Sequence, residues 1–327
     1  MPFLIYVFTL APTIYNLDSA ELTTAAATLG ITRATGYPLY TLMGHLWSKI
    51  PIGDVGYRLN LFSAVFGALT IFIADRVFVK WKISWMASFG ALGLLASAPY
   101  FWGLSLIAEV YTLHTALVAG ILYCLVKWDE EPVLLNLVGV AALTGLSLTN
   151  HVSSVLLIPG IFWFLISSHP KKVFNPRMML PALLAGVVAL SLYIYLPIRS
   201  SMQPVFNYAG VYDEFGVFQP IPLNVWKGFW WLVTGQGFRN LMFAYPMQEV
   251  YSQVLLFCNE LIRSFSLVGL GPGLFGFGLL IFRKRSTGIL LLLWFLFVSG
   301  FYINYRVLDK ATMFLPCYLF WTIAIAY

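Results

Sequence analysis

The chain has 327 residues, of which 60% are hydrophobic and only 10% are charged, and its mean hydropathy is +0.83. Soluble domains have an apolar fraction nearer one half, so this composition excludes them and indicates a polytopic membrane protein. The formal net charge of +6 does not indicate nucleic-acid binding, because no basic run exceeds three residues and these runs lie between apolar segments.

Apolar segments of about the length that crosses a bilayer recur along the chain. They predict an all-α, polytopic helical bundle of about ten spans, forming one transmembrane domain over residues 1–327. The predicted spans are 1–15, 59–75, 84–101, 108–126, 134–149, 152–168, 178–196, 265–282, 287–304 and 312–327. The first and last apolar runs predict a chain that is truncated at one or both ends.

The loops between these spans alternate in character. Ten lysines and arginines fall in four short loops, which the positive-inside rule assigns to the cytoplasm. The opposite side carries two long loops, 16–58 and 197–264, which are rich in aromatic residues, glycine and proline. That composition is typical of helices that lie in the membrane interface. We therefore expect an integral membrane protein whose active face is extracytoplasmic.

The first long loop begins with "YNLDSAELTTAAATLG", residues 15–30, in which Asp18 and Glu21 are three residues apart. One interpretation is a capping box, with Asp18 as N-cap and Glu21 as its partner at the start of a helix that ends at Gly30. The other is a reaction centre, and the two are compatible because a carboxylate at a helix N-terminus is held in a fixed position.

The segment that contains this motif, residues 11–69, resembles the N-terminal signature of the DUF2723 family. These proteins are similar to protein O-mannosyltransferases. Further matching segments follow in order: "AEVYTLHTAL" (108–117), "GLSLTNHVSSVLLIPG" (145–160) and "YLPIRSSMQPVFNYA" (195–209). One departure is Leu17, since the family usually has glycine before the aspartate.

This resemblance implies a GT-C glycosyltransferase fold and a polyprenyl-phosphate sugar as donor, with mannose as the favoured sugar. It implies a hydroxyl acceptor, first of all serine or threonine of a protein, with a lipid or glycan acceptor as the alternative. A carboxylate of the first outer loop serves the reaction centre in such enzymes, which makes Asp18 the general base. Transfer by one base without a covalent intermediate implies inversion. Glu21 and Glu109 are the further catalytic candidates.

The donor phosphate requires cations on the same side, since negative charge gathers on the leaving group. The candidates for this role are Arg199, Arg239, Arg306, Lys310 and His151. Interfacial anchoring is the alternative for the arginines and the lysine. The candidates for substrate binding are Tyr37, Tyr40, His114 and Asn150. We expect no obligatory cofactor; a divalent cation is conceivable, but nothing in the spacing demands a metal site.

Two other functions stay open at this point. A catalytically inactive structural subunit would keep the fold and bind partner membrane subunits. A lipid-linked sugar transporter would show internal repeats and ionisable residues at mid-membrane depth, and the sequence offers no evident repeat and only His114 near that depth.

Overall fold

This computed structural model of the protein describes residues 2–33 and 35–327. Its elements are almost all helical. The helices are α1 (Pro2–Phe8), α2 (Ser19–Thr28), α3 (Pro38–Trp47), α4 (Val55–Lys80), α5 (Trp85–Ser97), α6 (Pro99–Leu104), α7 (Val110–Glu130), α8 (Leu134–Asn150), α9 (Ile158–Ser168), α10 (Pro170–Val173), α11 (Pro176–Leu190), α12 (Tyr195–Ser201), α13 (Trp226–Val233), α14 (Met247–Arg283), α15 (Arg285–Ile303) and α16 (Leu315–Ala326). The strands are β1 (Gly210–Tyr212) and β2 (Phe218–Pro220).

Five helical stretches in the described residues are long and apolar enough to cross a membrane: Val55–Lys80, Val110–Glu130, Pro176–Ser201, Met247–Arg283 and Arg285–Ile303. Shorter apolar helices cover Trp85–Ser97, Leu134–Asn150, Val152–Ser168 and Lys310–Ala326. The predicted count of about ten spans is therefore not confirmed. In the first predicted span, 1–15, the described helix α1 has only seven residues and ends before Pro12.

Helix α7 forms the centre of the bundle and packs against α4, α8 and α16. The C-terminal ends of α4 and α7 lie together, where Lys80 pairs with Glu130 at 2.6 Å. Lys284 lies over the ring of Trp81 at 5.8 Å, close to the same end of α4. The structure thus gathers short basic loops at one end of the bundle and leaves the N-terminal ends of α4 and α7 at the other.

The first long loop contains α2 and α3 and is fixed to the bundle by Asn60 of α4. The buried Asn60 amide donates to the carbonyl oxygens of Ala11 and Thr13 at 2.9 and 2.8 Å. Its Oδ1 accepts the N–H of Ala108 at 2.8 Å. One side chain therefore holds the loop before α2 next to the segment that leads into α7.

The second long loop corrects the all-α prediction, because β1 and β2 form an antiparallel hairpin within it. After the hairpin, α13 buries Leu232 and Val233 and exposes Trp226, as expected of an interfacial helix. The loop is also shorter than predicted, since α14 begins at Met247. The predicted start of that span near 265 coincides with a kink, where Ser266 has φ 53°.

The two long loops contact each other at the end of α2. The hydroxyl of Tyr195 donates to the Gly30 carbonyl at 2.7 Å, and Nε of Arg199 donates to the Leu29 carbonyl at 2.7 Å. Both carbonyls follow Thr28, the last residue of α2, and these bonds give them partners where the chain leaves the helix. Ile31 then donates its N–H to the Phe206 carbonyl at 2.9 Å and accepts the N–H of Tyr208 at 2.8 Å, which places the segment before the hairpin beside the loop that carries Asp18.

Close packing of α14 against α16 predicts a steric effect at Gly276. A Cβ there would overlap the carbonyl oxygen of Ala324 in α16, whereas a Cβ at Gly278 would meet no described atom within 4 Å. We expect Gly276→Ala to lower the free energy of unfolding by about 1–3 kcal/mol, the usual cost of overpacking. Thermal unfolding in detergent measures it, with Gly278→Ala as the matched control. Equal melting temperatures of the two variants would contradict this packing.

Candidate functional site

The acidic motif of the first long loop is arranged differently from a capping box. Asp18 precedes α2, yet its side chain makes no hydrogen bond to the N–H groups of the helix, so this interpretation is wrong. The N–H of Asp18 donates instead to Oε1 of Glu109 at 3.2 Å. Glu109 precedes α7 and is 2% exposed. A distant glutamate therefore makes the contact that a capping box assigns to Glu21.

The carboxylates of Asp18 and Glu21 both pair with Arg33. One terminal nitrogen of Arg33 lies 2.6 Å from Oδ1 of Asp18, and its Nε lies 2.9 Å from Oε2 of Glu21. The backbone N–H of Arg33 also donates to Oε1 of Glu21 at 2.8 Å. Glu21 thus holds both the backbone and the side chain of Arg33. Because the guanidinium is planar and has five N–H groups, it can bridge two acids in this way.

Burial raises the pKa of two carboxyl groups at this site, and neighbouring charges lower it in one case and raise it in the other. Burial raises the pKa of Glu21, while the positive charge of Arg33 lowers it. Burial also raises the pKa of Asp309, and the negative charge of Asp18 raises it further. The side chain of Arg33 is 53% exposed and that of Asp18 is 32% exposed, so this pair is accessible to a ligand.

Two cavities meet at Asp18 and Arg33, which line both of them. The hairpin cavity, of about 500 Å³, is bounded on its other side by the second long loop, including β1 and the indole of Trp231. The tyrosine cavity, of about 380 Å³, is lined by Tyr37, Tyr111, His151, Tyr302, Tyr305 and Asp309 among others. Among the described residues that line the two cavities, Arg33 is the one arginine or lysine.

His151 forms a polar part of the tyrosine cavity wall. Its Nδ1 accepts the N–H of Ser153 at 3.4 Å and lies 2.8 Å from the hydroxyl of the same residue. The assigned tautomer therefore carries its hydrogen on Nε2. Burial lowers the pKa of His151 to about 4, so the ring is neutral at pH 7. Tyr37 stacks on this ring, with centroids 5.8 Å apart.

The structure brings together five of the residues singled out in the sequence: Asp18, Glu21, Glu109, Tyr37 and His151. Asp18 lines both cavities, Glu21 lines the hairpin cavity, and Tyr37 and His151 line the tyrosine cavity. Glu109 lines neither cavity, and its carboxylate accepts the backbone N–H of Asp18.

Three other predicted substrate-binding residues line neither cavity. His114 lies behind His151, with ring centroids 5.3 Å apart. Tyr40 is fully buried and packs edge-on against Phe62. The amide of Asn150 donates to the Val110 carbonyl at 3.1 Å, at the start of α7.

The four predicted basic ligands of the phosphate also lie outside both cavities. Arg199 donates to the carbonyls that end α2, and Arg239 is exposed. Arg306 and Lys310 both lie over the ring of Tyr245, at 5.6 and 4.5 Å. Contact with a phosphate at the Asp18 site would require these four side chains to move, and their predicted role stays a prediction.

Two charged site residues, Arg33 and Asp309, are absent from the sequence-based candidates, as are the cavity tyrosines Tyr111 and Tyr302. Arg33 is the one arginine or lysine between residues 22 and 48, which is the signal that could have identified it as the partner of the acids. Asp309 adjoins Lys310 in the sequence, and this neighbour suggests a surface ion pair. In the structure Lys310 contacts Tyr245 and Gln253 instead.

The described residues contain no group of three or more histidine, cysteine, aspartate and glutamate side chains that could hold a metal ion. The predicted metal independence rests on the sequence alone.

The fold resembles that of a protein whose structure was solved with a lipid phosphate bound. The chain is similar to the crystal structure of ArnT from Cupriavidus metallidurans bound to undecaprenyl phosphate, with a TM-score of 0.62. The likeness covers 99% of this chain and 58% of that one, at 12% identity. It supports the GT-C-like architecture that the family resemblance implied.

The amino-acid sequence is similar to proteins that are named protein O-mannosyl-transferase. Residues 18–174 match the family model described as protein O-mannosyl-transferase TMEM260 N-terminal domain. The chain is 31% identical to protein O-mannosyl-transferase TMEM260 of Mus musculus over 202 residues, which are 60% of this chain and 29% of that protein. It is 24% identical to tmem260 of Dictyostelium discoideum over 330 residues, 92% of this chain and 39% of that protein.

The chain therefore spans less than two fifths of the length of these two relatives. The resemblance to transmembrane O-mannosyltransferases is confirmed at the level of sequence similarity, whereas the DUF2723 label is not.

The pairing of Arg33 with Glu21 predicts a change in titration. Because the charge of Arg33 lowers the pKa of Glu21 against the effect of burial, Arg33→Gln should raise that pKa. Protonated Glu21 will then persist to higher pH. The infrared carbonyl band that disappears in Glu21→Gln reports this titration. Lys227→Gln removes an exposed charge elsewhere and should leave the band's midpoint in place. A midpoint that stays or falls in Arg33→Gln would contradict the pairing.

Proposed function

We propose that the chain is the membrane part of a glycosyltransferase that moves a sugar from a polyprenyl-phosphate donor to a hydroxyl group. Mannose is the favoured sugar, and serine or threonine of a protein is the favoured acceptor. The names of the TMEM260 relatives support the sugar and the acceptor, and undecaprenyl phosphate in the ArnT structure supports the donor class. The reaction would take place on the extracytoplasmic face, at the end of the bundle opposite the basic loops.

The observation that carries this proposal is the position of one carboxylate and one guanidinium between two cavities. A transferase must bring two substrates to one point and supply opposite charges there. Asp18 can accept a proton, and Arg33 can bind phosphate oxygens through its planar fork. A transporter or a structural subunit has no need for this pair at the junction of two cavities.

We assign the donor to the tyrosine cavity and the acceptor to the hairpin cavity. The neutral His151 and the hydroxyls of Tyr111 and Tyr302 offer hydrogen bonds to sugar hydroxyls. The tyrosine rings offer flat apolar surface to the sugar face. The hairpin cavity, at about 500 Å³ against about 380 Å³, leaves more room for a larger acceptor.

The reaction then proceeds by a single displacement. The acceptor oxygen attacks the anomeric carbon, its proton passes to Asp18, and the bond from that carbon to the phosphate oxygen breaks with inversion. The lipid phosphate leaves with the bonding electron pair, and Arg33 binds its charge. General-base catalysis of this kind contributes about 10²- to 10⁴-fold to the rate.

Arg33 has a second effect in this scheme. While it pairs with Asp18, a terminal nitrogen of its guanidinium occupies Oδ1 of that carboxylate at 2.6 Å. When the donor phosphate attracts the guanidinium, the pair lengthens and this oxygen becomes free to take the proton of the acceptor hydroxyl. Glu21 keeps Arg33 attached through the backbone bond, so that the cation moves only between the acid and the phosphate.

Substitution of Asp18 tests the proposed chemistry. Purified protein in lipid nanodiscs is incubated with polyprenyl-phosphate mannose and threonine-containing peptides, and the glycosylated product is measured by mass spectrometry. We expect Asp18→Asn to lower the transfer rate about 10²- to 10⁴-fold, because the amide cannot accept the proton.

Glu249→Gln provides the matched control, since Glu249 is an exposed acid at the start of α14 and lines neither cavity. Equal rates in wild type and Asp18→Asn would remove Asp18 from the mechanism. Absence of transfer in the wild type from any polyprenyl-phosphate sugar would favour a structural subunit. Movement of the lipid-linked sugar across the membrane that survives Asp18→Asn would favour a transporter.

Binding of the lipid product tests Arg33 separately. We expect Arg33→Gln to weaken binding of polyprenyl phosphate by about ten- to a hundredfold, the loss of a charge-assisted hydrogen bond, and to leave polyprenol binding unchanged. Fluorescence competition measures both ligands. Arg199→Gln tests the assignment made from the sequence: a larger loss in that variant than in Arg33→Gln would place the phosphate at Arg199.

A further inference from the structure

The β-hairpin of the second long loop has two strands and therefore two outer edges, of which that of β1 faces the hairpin cavity. Asp213 donates its N–H to the Val217 carbonyl at 3.0 Å, and Ile221 donates to the Ala209 carbonyl at 2.8 Å. Hydrogen-bonded pairs alternate along an antiparallel ladder, so the backbone groups of Val211 also face β2. Those of Gly210 and Tyr212 must point away from β2.

These outward groups have no hydrogen-bond partner among the described residues. Gly210 and Tyr212 both line the hairpin cavity, together with Asp18 and Arg33. The free edge of β1 and the Asp18–Arg33 pair therefore face the same cavity. An unpaired strand edge is a template for the backbone of another chain.

We propose that the free edge of β1 binds the acceptor polypeptide in an extended conformation, as an added strand. Backbone groups of Gly210 and Tyr212 pair with the acceptor backbone, which holds a hydroxyl side chain toward Asp18. This inference rests on the proposed function for the role of the bound chain, and it specifies how that chain is recognised.

The spacing of the edge favours a polypeptide over a glycan. Gly210 and Tyr212 present the same donor and acceptor pair two residues apart, about 6.6–6.8 Å along a strand. An extended polypeptide repeats its own donor and acceptor at this interval, whereas the hydroxyls of a sugar chain do not alternate in that manner.

Side-chain surroundings agree with strand addition. In an added strand, alternate side chains point to the same face. Tyr208, Phe218 and Trp231 line the cavity with aromatic rings that can receive side chains from such a face. Recognition through the backbone accepts many sequences, as a protein-modifying enzyme with serine and threonine acceptors requires.

Backbone methylation of the acceptor tests this mode directly. The probe is a short, capped peptide with a central threonine between alanines and valines, and a set of its variants with one N-methyl group each. Binding is measured by fluorescence anisotropy to the full chain in nanodiscs, without donor. We expect methylation at alternate residues to weaken binding about tenfold, roughly the worth of one strong hydrogen bond, with little effect at the residues between.

A pair of protein variants tests the same contact from the other side. Tyr212→Pro removes the outward N–H, and Tyr212→Ala keeps it while losing the same exposed ring. We expect the proline variant to bind the peptide about tenfold more weakly than the alanine variant. Gly210 is unsuitable for this test, because any Cβ there would overlap the carbonyl oxygen of Gln219.

The outcomes separate this inference from the proposed function. Alternating sensitivity without sugar transfer would support strand addition and reject the glycosyltransferase. Sugar transfer to the peptide with uniform methylation effects, or with equal binding by the proline and alanine variants, would overturn strand addition alone. No binding of the peptide would also overturn it.

Discussion

The structure of the site depends on one cation shared by two acids. Arg33 lies within 3 Å of both Asp18 and Glu21, and without it these two carboxylates, three residues apart at the start of α2, would repel each other. Its exposed surface lowers the stability that this pair can add, because solvent screens exposed ion pairs. In the proposed mechanism the same contact has a further role, because it places a positive charge next to a partly exposed carboxylate.

The rest of the fold positions that pair. Asn60 ties the loop before Asp18 to the segment before α7 through three hydrogen bonds, and that segment carries Glu109. Glu109 then holds the Asp18 backbone. Residues of the segment from α4 to the start of α7 thus hold the backbone of Asp18 in place. The second long loop lines the opposite side of the hairpin cavity that the Asp18 side chain faces. Buried polar groups with this many partners define one loop conformation rather than several.

Local sequence signals account for the helices and not for the site. The apolar spans predicted after residue 58 largely correspond to helices. This is because the length of an apolar run, which can be read directly from the sequence, predicts a membrane-crossing helix. The capping box was wrong since a competing partner, Glu109, lies 91 residues away. Arg33 and the hairpin were missed for a similar reason: an ion pair across a loop and a two-stranded ladder of three residues each leave almost no periodic pattern.

The backbone conformation of Leu17 bears on the one position where the sequence departs from the family that it resembles. Leu17 has φ 58°, a left-handed conformation that glycine adopts without strain and that is unfavourable for a branched side chain. Glycine, the residue that the family resemblance leads us to expect here, would adopt this turn without strain. Here the same turn forms around leucine, and the bonds to Glu109 and Arg33 on the next residue must offset its cost. Left-handed strain of this kind clusters at functional sites, and here it lies next to the acid that the proposed mechanism uses as its base.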